Sequence, residues 1–481
     1  MKRKFVTNLI LLLFLNILIK PFYIFGIDRT VQNLVGDQNF GLYFALFNFS
    51  MILNILLDVG ITSYNNRNIA QHHFLVNKHL SNIVGLKFML AVIYAFLCLV
   101  IALMIGYDSH QFHLLIFLIF NQFLISFTLY LRSNISGLQY FRTDSLISVL
   151  DRSLMIIICG SLLYTNILNK PFTIEWFVYA QTISYLLTAI ITFIIVLTKS
   201  GRIKIRFNIK FFLVFLRKSY PYAILILLMS FYNRIDSVLI ERLLPEPAGK
   251  EQAGIYAQAF RLLDAVSMFG VLFAGLLLPI FAKMIKDKEP VGQMAQLSYS
   301  LIIAPAIIIA FSCLFYDVEI MQVLYKSNSD ESARILSILM FGFLGIMTTY
   351  IFGTLLTANG SIRQLNIMAF CGMALNIILN IILIPKFQAF GSAYASLVTQ
   401  IATALAQLII AVCIFKLAIN WKYIARLIIF AILIFLTGIF TRFIPYWFYG
   451  YITMIVAGIA LAFISRLISL RNLFNIIRYN R

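Results

Sequence analysis

Lys20 and Arg234 are cations set inside long apolar stretches, LILLLFLNILIKPFYIFGID and AILILLMSFYNRID. A cation at the centre of a bilayer costs about 2.5–3.5 kcal/mol on insertion scales, so it needs a partner. The chemistry open to an ammonium or guanidinium in a wet cavity is electrostatic. It binds anions, phosphate oxygens above all, and breaks no bond. A third cation, Arg261, has Asp264 one turn further on, and Gln258, Arg261 and Asp264 share a helix face. Asn16 shares a face with Lys20 in the same way. Asp236 follows Arg234 by two residues and points elsewhere. With Asp151, the carboxylates Asp236 and Asp264 are candidates for taking up H+ or Na+. Asn376 and Asn380, one turn apart, are candidates for a polar cavity wall, as are Asn16 and Gln258. The same groups can also hold a helix bundle together. Arg261 with Asp264, and Asp151 with Arg152, then read as salt bridges. Asp58 lies near an interface, where hydration alone would satisfy it.

Covalent chemistry finds no support. The histidines form no triad or metal pattern, and no Gly-rich phosphate loop of the Walker type occurs. Cys98, Cys159, Cys313, Cys371 and Cys413 all fall inside apolar runs, without metal-ligand spacing. No enzyme activity, metal or cofactor is expected.

The elements that carry these residues follow from composition. The chain is 62% hydrophobic and 12% charged, against about 25% charged in soluble domains. Fourteen apolar runs of about 20 residues recur. They lie near 6–28, 40–62, 82–106, 112–135, 145–166, 175–198, 219–243, 253–282, 293–315, 332–356, 365–385, 390–415, 423–442 and 449–466. The expected fold is an all-α integral membrane protein with 14 transmembrane helices. The first run follows a Lys-Arg-Lys start without a small-residue cleavage site, and reads as an uncleaved span.

The net charge of +20 follows topology rather than nucleic acid. Loops on the N-terminal side hold Lys2, Arg3, Lys4, Arg67, Lys78, Arg132, Arg142, Lys283, Lys286, Lys288, Arg363, Lys416, Lys422, a cluster of seven from Lys199 to Lys218, and the tail Arg466, Arg471, Arg478 and Arg481. The opposite loops hold Arg29, Lys170, Lys250, Lys326, Lys386 and Arg442. The ratio is about four to one, which places both termini in the cytoplasm. The basic, aromatic segment 198–219 suits an amphipathic elbow on anionic headgroups.

The chain also repeats itself. Gly41-Leu42-Tyr43 opens the second run and Gly254-Ile255-Tyr256 the eighth. Tyr179-Ala180-Gln181 opens the sixth and Tyr394-Ala395-Ser396 the twelfth. Each match, like Lys20 with Arg234, is offset by about 214 residues, or six spans. Six is even, so the halves run in parallel. The expected organisation is an N-lobe at 1–200, a connector at 201–218, a C-lobe at 219–416, and two further helices with a tail at 417–481. Helical rise puts Lys20 and Arg234 about 20 Å above the cytoplasmic side, at the level of Arg261 and Asp264. Asp151 and Arg152, with Asn54 and Asp58, are expected nearer the cytoplasm.

The order and spacing of several short motifs carry a family resemblance. They are Asp58-Val59-Gly60, Arg234-Ile235-Asp236, Gly254-Ile255-Tyr256 leading to Arg261, Leu278-Pro279, and Asn376 to Ile384-Pro385. Over essentially its whole length the chain resembles the polysaccharide flippases of the multidrug/oligosaccharidyl-lipid/polysaccharide exporter superfamily, Wzx-type O-unit translocases in particular. The resemblance implies two six-helix lobes around a central cavity, with two extra C-terminal helices, in the bacterial inner membrane. It implies alternating access that moves undecaprenyl-diphosphate-linked sugar units to the outer leaflet for surface polysaccharide synthesis. The partners implied are that lipid-linked oligosaccharide, membrane lipids and other polysaccharide-assembly proteins. Lys20, Arg234 and Arg261 would then face the diphosphate. Lys20 departs from the best phosphate ligand, because an ammonium is a point charge and lacks arginine's fork. The drive could be the membrane potential, at about 2.3 kcal/mol per charge per 100 mV, or inward H+ or Na+. Three alternatives stay open: a drug/cation antiporter of the same fold, a peptidoglycan lipid precursor flippase, and a scaffold that transports nothing. Cations matching or outnumbering acids at mid-membrane favour an anionic cargo over a cationic drug.

Overall fold

The computed structural model describes residues 14–16, 18–62, 65, 69, 76–165, 171–200, 209–418, 420–465 and 467. Among these residues the chain forms twelve α-helices and no strand. They are α1 (Arg29–Ile52), α2 (Val76–Ile105), α3 (Ser109–Gly137), α4 (Phe141–Tyr164), α5 (Ile174–Ser200), α6 (Ile209–Leu243), α7 (Ala248–Lys286), α8 (Gly292–Leu324), α9 (Ser329–Ala358), α10 (Ile362–Phe415), α11 (Trp421–Thr441) and α12 (Trp447–Ile464). Helices are what an apolar chain must form in hydrocarbon, where every backbone N–H and C=O has to be satisfied within its own segment. Eleven of the helical stretches are long and apolar enough to cross a membrane.

Two helical runs double back on themselves. α10 has 54 residues and would be about 81 Å long if straight. It reverses at Gln388 (φ 52, ψ −133). The Ser392 hydroxyl donates to Asn380 Oδ1 at 2.7 Å, whereas twelve residues of straight helix would separate them by about 18 Å. Gly391 permits the reversal, since a Cβ there would overlap the Leu383 carbonyl. The first run, a π-helical turn at Tyr23–Asp28 leading into α1, breaks at Gly36 (φ 78). Tyr43 accepts from Gln181 at 2.8 Å. Tyr23 lies 4.7 Å from the Arg152 guanidinium, which donates to Tyr185 at 3.1 Å. Gln181 and Tyr185 are one turn apart on α5. Two tyrosines that a straight helix would hold about 30 Å apart therefore meet one face.

The chain divides into two compact units, Met1–Gly254 and Ile255–Arg481. In the first, α3 packs on α5, α4 on α5, and α6 on α1. Leu80, Ile83, Tyr130, Leu131 and Ile147 are part of one apolar cluster there. In the second, α8, α9 and the α10 hairpin stack in order, and α11 and α12 lie on α8. Helix α6, which the repeat assigns to the second half, thus packs within the first unit. Of the expected connector, 201–208 lie outside the described residues. From Ile209 onward it is the first part of α6 rather than a separate element. At 35 residues, α6 is about 52 Å long and exceeds a bilayer core of about 30 Å. Its membrane-compatible part is Tyr220–Leu243.

Candidate functional site

In the first unit Lys20 is half-buried, and the charges acting on it are those of Arg152, Asp151 and Arg132. Arg132 is matched by Asp144 at 2.7 Å and Arg152 by Asp151 at 3.7 Å. Lys20 is the third cation beside two carboxylates. The Arg152 guanidinium lies over the rings of Tyr23 and Tyr185, 4.7 and 5.7 Å from their centroids. Asn16 donates to Ser148 Oγ at 3.0 Å, which fastens this face of the first span to α4. Beside the cluster is a cavity of ≈ 60 Å³ whose wall includes Thr128, Arg132, Ser148, Asp151 and Tyr185. That is room for a few waters, and far below the roughly 300 Å³ of a small-molecule pocket. Residue counting puts Asp151 and Arg152 on a lower level than Lys20, yet they form one cluster. Long basic side chains carry their charge well away from their own backbone level.

Arg234 has different company. Asn48 of α1 accepts from Arg234 Nη1 at 3.5 Å and donates to Ser237 Oγ at 2.9 Å. Asn48, Asp236 and Ser237 are all buried. One amide thus ties α1 to α6 and orients the guanidinium. Of the two cations matched by the repeat, Lys20 lies near charges of α3 and α4, and Arg234 bonds an amide of α1.

In the second unit Gln258 is buried and donates to the Ser327 carbonyl at 3.2 Å. Arg261 and Asp264 lie about one and two turns further along α7, both half-buried. Asn376 and Asn380, expected on a cavity wall, are instead fully enclosed. Asn380 donates to the Asn376 carbonyl at 2.9 Å and to Asn376 Oδ1 at 3.1 Å, and accepts from Ser392. The pair joins the arms of the α10 hairpin, because the reversal at Gln388 brings Ser392 onto it.

Sequence reasoning missed a buried ion pair. Lys87 of α2 is 1% exposed and donates to Asp58 Oδ1 at 2.6 Å, the Leu57 carbonyl at 2.9 Å and Ser126 Oγ at 3.0 Å. Asp58 also accepts from Thr62 Oγ1 at 2.5 Å. Asp58 is therefore held by a cation rather than by hydration. The signal was present, for Lys87 interrupts SNIVGLKFMLAVIY as Lys20 interrupts its own run. A second missed group joins α3 to α6. Gln111 donates to Glu241 at 2.9 Å, Arg242 forms an ion pair with Glu241 at 2.8 Å and donates to Gln111 Oε1 at 2.7 Å, and its guanidinium lies 4.2 Å from the Tyr107 ring centroid.

This arrangement gathers charged and amide groups suited to electrostatic binding. The chain belongs to the polysaccharide biosynthesis protein family, whose model matches residues 6–285. No curated protein matches it by sequence. Its fold is shared with solved transporters. The lipid II flippase MurJ in an inward closed conformation superposes with a TM-score of 0.73 at 17% identity, over 98% of this chain and 100% of that one. An inward-facing MATE family multidrug resistance transporter of the MOP superfamily gives 0.66 at 15% identity, over 85% and 98%. A MOP superfamily transporter from Pyrococcus furiosus, described as having a binding pocket of reverse polarity, gives 0.60 at 15%, over 85% and 95%. The motifs point to proteins of polysaccharide synthesis, and that is the family whose model matches.

Proposed function

We propose that the protein is a flippase that moves undecaprenyl-diphosphate-linked oligosaccharide from the cytoplasmic to the outer leaflet by alternating access. It would serve surface polysaccharide synthesis in the bacterial inner membrane. The observation that carries the reading is the set of membrane-level cations in a chain of the polysaccharide biosynthesis family. Arg234 donates to the Asn48 amide at 3.5 Å, which orients its guanidinium. Lys20 and Arg261 supply two more cations. In this reading the chain crosses the membrane fourteen times, the two helical runs that double back each counting as two passes, and both termini are cytoplasmic. The repeats are 1–200 and 219–416, with 201–218 joining them and 417–481 appended. Asp151, Asp236 and Asp264 are the acids through which H+ or Na+ would couple, and Gln258 and Asn16 are polar neighbours of the cations. Lipid-linked sugar and membrane lipids are the partners, together with other polysaccharide-assembly proteins.

The test is surface polysaccharide in a strain lacking the native gene and supplied with variants at matched expression. Arg234→Ala and Arg261→Gln should each abolish export while membrane insertion stays intact. Arg261→Lys should keep part of it, because charge remains while the fork is lost. Normal polysaccharide with Arg234→Ala would defeat the reading. A peptidoglycan lipid precursor is the second reading, favoured by the fold likeness to MurJ. Rescue of a strain depleted of its lipid II flippase would select it.

A further inference from the structure

Between the arms of the α10 hairpin, within the second unit, lies an open groove of ≈ 380 Å³. Its walls include Ile367, Met368, Leu375 and Ile410, and the small residues Gly372 and Ala406 leave the space. The volume falls within the roughly 300–1,000 Å³ of ligand sites, whereas the polar cavity of the first unit, at ≈ 60 Å³, has room for only a few waters. The groove does not run the length of the hairpin. It spans residues 364–375 on one arm and 402–410 on the other. It therefore begins about 20 Å from the reversal at Gln388 and extends about 16 Å to the free ends of the arms. That depth is one leaflet, half of a hydrocarbon core of about 30 Å.

The free ends of the arms are cationic. Arg363 opens the first arm and Lys416 closes the second. Lys422 follows in the first turn of α11, and all three are exposed. Counted from Gln388, Arg363 and Lys416 are 25 and 28 residues away, so they stand at nearly one level. Exposed Trp421 precedes Lys422 at the start of α11, a residue type that marks the headgroup level. Apolar cleft and cationic rim together describe a lipid with a negative headgroup. The one-leaflet depth then decides which lipid. The acyl chain of an ordinary glycerophospholipid fills one leaflet, whereas an undecaprenyl tail is much longer than this groove.

We infer that the α10 hairpin binds an anionic glycerophospholipid, one acyl chain in the groove and the phosphate at Arg363 and Lys416. The inference uses the proposed topology only to name the leaflet, which is the cytoplasmic one. Binding is read without transport, so its failure is separate from failure of the flippase reading.

The experiment is native mass spectrometry of the delipidated full-length protein. Phosphatidylglycerol and phosphatidylethanolamine are the probes and undecaprenyl phosphate is the competitor. The wild type should hold one phosphatidylglycerol in preference to phosphatidylethanolamine. Arg363→Gln and Lys416→Gln should each weaken that preference about fivefold, the effect of about one near-surface cation. Ala406→Phe should expel the lipid by filling the groove. Ile367→Trp, at an exposed position on its lip, should do so without disturbing buried packing. Equal retention of the two phospholipids, or retention undiminished in Ile367→Trp, overturns the inference. Displacement of phosphatidylglycerol by equimolar undecaprenyl phosphate also overturns it, and assigns the groove to a cargo tail.

Discussion

The segment Gly41–Asn48 of α1 and the segment Gly254–Arg261 of α7 begin alike and end differently. Each opens on a glycine at close quarters. A Cβ on Gly41 would overlap the Lys250 carbonyl, and one on Gly254 would overlap the Asp37 carbonyl. Each then stacks a tyrosine on a phenylalanine one turn later. The centroids of Tyr43 and Phe47 are 5.8 Å apart with planes at 27°, and those of Tyr256 and Phe260 are 5.6 Å apart at 29°. All of these positions share an offset of about 213 residues. Met155 and Met368 share it too, and each sulfur accepts a hydrogen bond from the following span, from Ser184 at 3.7 Å and Gln407 at 3.8 Å. The next position separates the two segments. Asn48 stands where α7 has Arg261. The inner ends differ as well. α1 stops at Ile52 and passes through a 3-10 turn to Val59 (φ 43) and Gly60 (φ 82). α7 runs unbroken through Pro279 to Lys286. The packing scaffold is duplicated while the polar groups are not. The first copy uses its amide to fasten a neighbouring helix, and the second places a charge there.

The largest stability effect should come from the break that only the first copy has. Asp58→Leu strips the anion from Lys87, leaving a cation that is 1% exposed. Removing one partner of a buried pair costs about 3–5 kcal/mol. Thermal unfolding of the purified protein should show that loss, and the double change Asp58→Leu with Lys87→Met should recover most of it. An unchanged single variant would mean that the bend after Ile52 does not depend on the pair, and the contrast with α7 would need another cause.

A smaller effect should separate the crossing glycines from a glycine that merely belongs to a helix. Gly41→Val drives a side chain into backbone that cannot rotate aside, at about 1–3 kcal/mol. Gly275 of α7 has open space around its Cβ position, so Gly275→Ala should stabilise by about 0.4–1 kcal/mol. Unfolding midpoints moving in opposite directions would support the crossing. Equal shifts would sink it.

Much of this was legible in the sequence, for reasons that differ residue by residue. The Gly-x-Tyr repeat was visible because backbone contact and ring stacking each demand one residue type. Lys20 and Arg234 stood out because lipid makes an unplanned cation expensive. Their partners were not legible, since Asn48 and the Asp151–Arg152 pair come from other helices and tertiary packing chose them. Asn376 and Asn380 were found as a one-turn pair, but their role depends on a reversal at Gln388 that periodicity does not encode. Pro385 and Gly391 bracket that reversal and did mark the boundary between two runs. Lys87 carried the same signal as Lys20, while its partner Asp58 lies on another segment and is brought to it by packing.

The smallest effect should tell whether the stacked pairs are equivalent in energy as well as in shape. Tyr43 does more than stack on Phe47. Its hydroxyl accepts from Gln181 at 2.8 Å, between side chains 1% and 2% exposed. Tyr43→Phe keeps ring, rotamer and stack, and removes only that acceptor. A typical hydrogen bond contributes about 1 kcal/mol net, so the unfolding midpoint should fall by that equivalent. Gln181→Leu combined with Tyr43→Phe should return most of it, because no buried amide then lacks its partner. A loss within about 0.3–0.5 kcal/mol of zero, the usual tolerance for additivity, would mean that apolar contact, such as that of Tyr43 with Phe177 at 5.3 Å between centroids, holds this end of α1 against α5. The first copy would then owe nothing to its link with Gln181, and the two segments would differ only at Asn48 and Arg261 and at their inner ends.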